Sequence, residues 1–101
     1  MLVDINQTIK GWDGESDLIE QGSPLTLADV FLLVVNSQDE GERLSPQEKR
    51  RLFSLGVRIA TAQASGGLAD LSIEDAAVLL DRAGRFFIPL VYGRVCEILD
   101  R

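Results

Sequence analysis

The 101-residue sequence predicts a mainly α-helical protein with a minor β part: three to four helices with an N-terminal β-hairpin. Three observations carry this prediction. A Leu-[Ser/Thr]-x-x-[Asp/Glu] signature occurs at Leu25–Asp29, at Leu44–Glu48 and at Leu71–Asp75. Apolar residues follow helical spacing after each of these sites, whereas the first nine residues alternate with a period of two.

In the N-terminal stretch, Val3, Ile5 and Ile9 alternate with Asp4, Asn6 and Thr8. Gly11-Trp12-Asp13-Gly14 is turn chemistry, and Leu18-Ile19 makes a short apolar return. A β-hairpin arm over about residues 1–22 is therefore expected, leaning on a helical body over about 26–101, with Trp12 as its anchor. An isolated two-stranded hairpin is marginal in water, so the arm needs the body to pack on. The chain is read as a single domain.

Each signature is a helix start. A hydroxyl at the N-cap accepts a hydrogen bond from a backbone N–H that has no intrahelical partner, and an acid three residues on bonds back. The first helix is expected over about 27–36, and its run Val30-Phe31-Leu32-Leu33-Val34-Val35 implies burial nearly all round. The second should span about 46–64, with Pro46 at the first helical position, where its missing N–H costs nothing. Its inward stripe is Leu52, Leu55, Gly56, Ile59 and Gln63, widened by Phe53 and Ala60. Ser65-Gly66-Gly67 ends it, because glycine adopts the left-handed conformation freely.

The third helix follows Ser72 and is expected to turn Ile73, Ala76, Ala77, Leu80, Ala83, Gly84 and Phe87 inward. Pro89 must break or bend it, since proline cannot donate and restricts the residue before it. A last helix over about 90–100 then buries Val91, Val95, Ile98 and Leu99. Ala83, Gly84 and Gly93 flank the break and permit close helix approach.

The composition excludes several chemistries. There is no histidine, so no histidine-based triad and no imidazole ligand; one cysteine, Cys96, leaves no intramolecular disulfide and no multi-cysteine metal site. Lys10, Lys49 and the carboxylates remain as candidate reactive groups, and none lies in a catalytic pattern. Ala64-Ser65-Gly66-Gly67 has no following Lys-[Ser/Thr] and closes a helix, so it is not a phosphate loop. Asp13-Gly14-Glu15-Ser16-Asp17 resembles the opening of a calcium loop, but Leu18 stands where glycine is needed and Pro24 where glutamate is needed. No enzyme activity, no cofactor and no metal are expected.

The charge is uneven. The formal total is −6, yet residues 1–45 hold nine acids against Lys10 and Arg43, while residues 46–101 hold seven acids against eight bases. The N-terminal half thus defines a candidate acidic face of Asp13, Glu15, Asp17, Glu20, Asp39, Glu40 and Glu42. Lys49-Arg50-Arg51 is the basic cluster of the second half, and the acidic total argues against nucleic acid as its partner. The run Phe86-Phe87-Ile88-Pro89-Leu90-Val91-Tyr92 holds more apolar side chains around a kink than one small core takes. Phe86, Phe87, Ile88, Leu90 and Tyr92 are therefore a candidate interface for a protein partner or a second copy of the chain. Neither this run nor Val30–Val35 approaches the ~20 residues that span a bilayer. The opening Met1-Leu2-Val3-Asp4 lacks the basic and apolar regions of a signal peptide, so no membrane partner and a cytoplasmic location are expected.

Several blocks taken in order resemble a family. Ser23-Pro24-Leu25-Thr26-Leu27-x-Asp29-Val30, Leu44-Ser45-x-x-Glu48-Lys49-x-Arg51, Leu71-Ser72-x-Glu74-Asp75 and Pro89-Leu90-Val91-x-Gly93, with the Asp13-Gly14 turn, look like small bacteriophage or prophage-encoded proteins of about 100 residues. The resemblance implies a phage origin, a bacterial host cytoplasm and no catalytic residues. The function expected on these grounds is a non-enzymatic accessory protein that binds proteins, itself included as a homo-oligomer, during particle assembly or host takeover. The alternative is an acidic inhibitor whose carboxylates imitate a nucleic-acid backbone and block a host defence or DNA-binding protein.

Overall fold

A computed structural model describes residues 1–99 of the chain. In order, the elements are β1 (Leu2–Asp4), β2 (Ile19–Glu20), β3 (Ser23–Pro24), α1 (Leu27–Val35), α2 (Pro46–Ala64), β4 (Leu68–Asp70), α3 (Ile73–Phe86) and α4 (Pro89–Leu99). The fold is mainly α with a minor β part, as expected from the sequence. Asp100, the expected end of the last helix, lies outside the described residues.

All three predicted caps form as reciprocal pairs. The Asp29 N–H donates to Thr26 Oγ1 at 3.2 Å while the Thr26 N–H donates to the Asp29 carboxylate at 3.1 Å. Ser45 with Glu48 and Ser72 with Asp75 repeat the arrangement at 3.0–3.2 Å. Pro46 takes the first position of α2. At the other end of α2, Gly66 and Gly67 both adopt positive φ, 103° and 95°. The turn they make delivers Gly67 against β1: its carbonyl accepts from the Ile5 N–H at 2.7 Å.

The N-terminal segment departs from the expected hairpin. β1 pairs antiparallel with β4, in the register Leu2–Asp70, Val3–Ala69 and Asp4–Leu68. The tight hairpin is instead β2–β3, turned by Gln21 and Gly22, both at positive φ. Ile9 lies between them, accepting from the Leu18 N–H and donating to the Leu25 carbonyl, each at 2.8 Å. Residues 1–9 are therefore laced into the helical body, with the Ala28 N–H donating to the Ile5 carbonyl and the Leu27 N–H to that of Gln7. The alternation does mark the inward face, since Val3, Ile5 and Ile9 are all buried. It says nothing of which strand pairs with which, and a three-residue β4 is too short to show a period of its own.

The core gathers those three side chains with Leu27, Phe31 and Val34 of α1, Leu55 and Ile59 of α2, Leu71, Leu79 of α3 and Val95 of α4. A fully buried aliphatic or aromatic side chain contributes about 1.5–3 kcal/mol, so this cluster is the main source of stability. Two helix faces differ from expectation. On α3, Ile73 is 81% exposed, while Leu79, Asp75 and Arg82 are buried in its place. Arg82 is accommodated on the inward face because its guanidinium serves backbone carbonyls inside the fold (below), a role that a hydrophobic pattern assigns to no charged residue. On α2, Phe53 points outward. α3 ends at Phe87, which is extended, and α4 restarts at Pro89. Gly84 makes room for the neighbouring helix, since a Cβ there would lie 3.2 Å from the Tyr92 ring.

Candidate functional site

The 19-residue α2 carries two apolar faces. Leu52, Leu55 and Ile59 recur at helical spacing and enter the core. Phe53, Val57 and Ala60 form a second row about a third of a turn away, and Phe53 is 71% exposed and Val57 48%. Beside this row runs an open groove of about 600 Å³. Leu32 and Val35 of α1 form its other wall, and Leu44 with Asn36–Gln38 closes one end. Gly56 sets the floor: a Cβ there would stand 3.3 Å from a Val35 methyl, so the glycine lets α1 approach α2 at that point.

Charge at this groove is unbalanced. Five bases of the described chain are neutralised: Lys10 by Asp17, Arg58 by Asp75, Arg82 and Arg85 by Glu42, and Arg94 by Glu97. Among the described residues, Arg43, Lys49, Arg50 and Arg51 join no ion pair. Arg43 precedes α2, Lys49, Arg50 and Arg51 lie in its first two turns, and of the four it is Lys49 that lines the groove. The result is an apolar trough with the Lys49 ammonium on its lining. The sequence contained both signals, but the pattern assigned Phe53 to the core stripe and so hid the second face.

The residues singled out from sequence fall elsewhere. Of the candidate interface, Leu90 is buried, Phe86 and Phe87 are half-buried against the core, and only Ile88 and Tyr92 reach solvent, the latter over Gly84. Of the five, Leu90 is thus lost to the core, whereas Ile88 remains 63% exposed. The seven acids of the candidate acidic face divide into two groups. Asp13, Glu15, Asp17 and Glu20 lie in the segment that is tied to the start of α1 by the Thr8–Thr26 bridge. Asp39, Glu40 and Glu42 lie beyond its other end. Nine helical residues, about 13 Å, separate the two ends. Glu42 is also turned inward. Its carboxylate takes the Asp39 N–H and the Arg82 and Arg85 guanidiniums, and it ionises below the usual carboxylate range for those reasons, in that order.

Trp12 is no anchor of a hairpin: it stands 80% exposed at the tip of a loop that is itself tightly held. The Gly11 N–H donates to the Ser16 carbonyl at 2.8 Å, and the Asp13 carboxylate accepts from the Ser16 hydroxyl at 2.7 Å and from the Glu15 and Ser16 N–H groups. These bonds, the Ser16 hydroxyl first, hold Asp13 at a pKa of about 2. Arg94 of α4 clamps the loop's base by donating to the carbonyls of Lys10 and Gly11, at 3.2 and 2.6 Å. Of the residues that look like the opening of a calcium loop, Asp13 thus bonds within the loop and Asp17 bonds Thr8 and Lys10. Among the described residues no group of three or more His, Cys, Asp or Glu side chains is placed to hold a metal ion. Nor is any described helix long and apolar enough to cross a membrane.

Fold and surface together define a small, mainly α domain with an open apolar groove and an exposed aromatic loop. No protein-family model, curated protein or solved structure matches the chain.

Proposed function

We propose that this chain is a non-enzymatic protein-binding module that receives its partner in the groove between α1 and α2. The observation that carries the reading is the exposure of Phe53, at 71%, on the rim of a groove walled by Leu32, Val35 and Val57. A phenylalanine left in water forgoes about 1.5–3 kcal/mol of burial that a partner restores, and large aromatics at the centre of an interface dominate its affinity. The resemblance to small phage and prophage proteins supports an accessory role for that binding, in particle assembly or host takeover.

Replacing Phe53 with a photo-reactive phenylalanine tests this reading. Irradiation of the protein, alone and in extract of a bacterial host, is expected to yield discrete adducts that disappear when Val57→Asp is added. If no adduct depends on Val57 under either condition, the groove is not a binding site.

A further inference from the structure

The occupant of the groove can be identified by chemistry, on the premise that the groove is a protein-binding site. The Lys49 ammonium on its lining asks for an acidic ligand, and its apolar length asks for a large, flat side chain. One segment of the chain itself offers both. The Trp12 loop presents an indole at 80% exposure. On the loop the Glu15 side chain is exposed and joins no ion pair among the described residues, and Lys49, likewise in no ion pair, lines the groove. Tryptophan is also the aromatic side chain that cations favour most. We infer that the groove binds the Trp12 loop of a second copy of this chain.

The loop is built for that task. Asp13 and Arg94 fix its backbone from within and from below, through the bonds described above, so presenting Trp12 costs little further ordering on association. Arg94 holds the loop through the Lys10 and Gly11 carbonyls and not through the indole, which stays exposed. In the groove, Phe53 and Val57 supply the apolar surface, and Lys49 faces Glu15 of the incoming loop. The contact is heterologous, because a loop meets a groove and not its own counterpart. A single loop-sized contact falls at the small end of interface sizes, so association in the micromolar range is expected.

Two exposed substitutions and the chain's only tryptophan provide the test. Sedimentation velocity is followed from low to high micromolar protein for the wild type, Trp12→Ala and Phe53→Ser, and Trp12 fluorescence for the wild type and Phe53→Ser, which keep the indole. Circular dichroism confirms that each variant folds, which both should, since neither side chain is buried. The wild type is expected to self-associate with a blue shift of its emission. Each variant alone should lose at least about tenfold in affinity. The decisive sample is the equimolar mixture: Trp12→Ala keeps a competent groove and Phe53→Ser keeps a competent loop, so together they should pair while neither pairs alone. A wild type that stays monomeric throughout, self-association that survives Trp12→Ala, or a mixture that remains monomeric each overturns the inference. A monomeric wild type whose Phe53 position still cross-links to another protein overturns self-docking alone and leaves the groove's binding role standing.

Discussion

Arg82 of α3 donates from Nε to the carbonyl of Val34 in the last turn of α1, at 2.7 Å, inside the fold. Its second amino group serves the Ser37 carbonyl, its first the Glu42 carboxylate at 3.1 Å, and the guanidinium lies 5.2 Å from the Phe86 ring centre. One side chain thus satisfies carbonyls at the end of α1, pins the loop that leads to α2, and ties both to α3. Last-turn carbonyls have no intrahelical donor, so a cation at that place is doubly favoured.

Arg82→Ala should destabilise the protein by about 3 kcal/mol, the low end for breaking a buried pair, because Arg85 still faces Glu42. Arg82→Lys should recover little of the loss, since an ammonium cannot replace three divergent bonds of a planar fork. Urea denaturation of the two variants measures both effects; full rescue by lysine would show that charge alone matters.

Gly67 is expected to be the least replaceable glycine. It sits at φ 95°, and a Cβ there would come within 2.9 Å of the Asn6 Cβ and 2.7 Å of its Nδ2. Gly67→Ala should cost about 2–4 kcal/mol from backbone strain and overlap together, whereas Gly66→Ala, at φ 103° with open space around it, carries only the backbone part. Thermal unfolding of the pair separates the contributions, and equal losses would mean that Asn6 yields without cost.

The helix caps should rank by burial. Ser72→Ala is expected to cost about 1–2 kcal/mol and Ser45→Ala about half of that. The Ser72 box is partly buried and its Asp75 also receives Arg58 at 2.9 Å, whereas the Ser45 box is exposed. Chemical denaturation gives the order directly.

Two neighbours on α2 should respond oppositely to truncation. Ile59→Ala is expected to lose about 2–5 kcal/mol, because the side chain is fully buried. Phe53→Ser should stay within about 0.5 kcal/mol of the wild type as a monomer. A large loss at Phe53 in dilute solution would place that ring in the core and contradict its role on the surface.

Stability should fall in acid and be flat across the weakly acidic to neutral range. Asp13, Asp17, Glu42 and Asp75 all ionise below their ordinary values of 3.8 (Asp) and 4.5 (Glu). Hydrogen bonds are the leading cause for the first three. At Asp75 burial opposes ionisation but is outweighed by the bonds from Ser72 and Arg58. A carboxyl whose pKa is lower when folded contributes stability above its unfolded value and loses it as the pH falls through the folded one. The loss should therefore begin near pH 4.5 and continue towards the Asp13 value of about 2. With no histidine, no side chain has an ordinary pKa between about 5 and 8. Thermal melts across that range test the window, and a step between pH 5 and 7 would contradict it.

What the sequence determined by itself was local. Thr26, Ser45 and Ser72 define helix starts because a cap hydroxyl and an acid three residues later satisfy their own turn without help from the rest of the chain. The Gly66-Gly67 stop and the break before Pro89 are legible for the same reason: the constraint lies within a few residues of backbone. Tertiary structure decided the rest. Pairing of β1 with β4 joins residues more than sixty positions apart, and nothing in a three-residue strand encodes its partner. On α3, Arg82 is buried where it reaches the Val34 carbonyl of α1 and the Ser37 carbonyl beyond it, and charge on a helical wheel reads as solvent-facing until those carbonyls are in place. The same holds for the surface. Phe53 is read as core and the Phe86–Tyr92 run as surplus, because hydrophobicity records the wish to leave water but not the supply of neighbours. Only packing shows that the core is filled by Leu52, Leu55 and Ile59 from one face of α2, which leaves Phe53 outside.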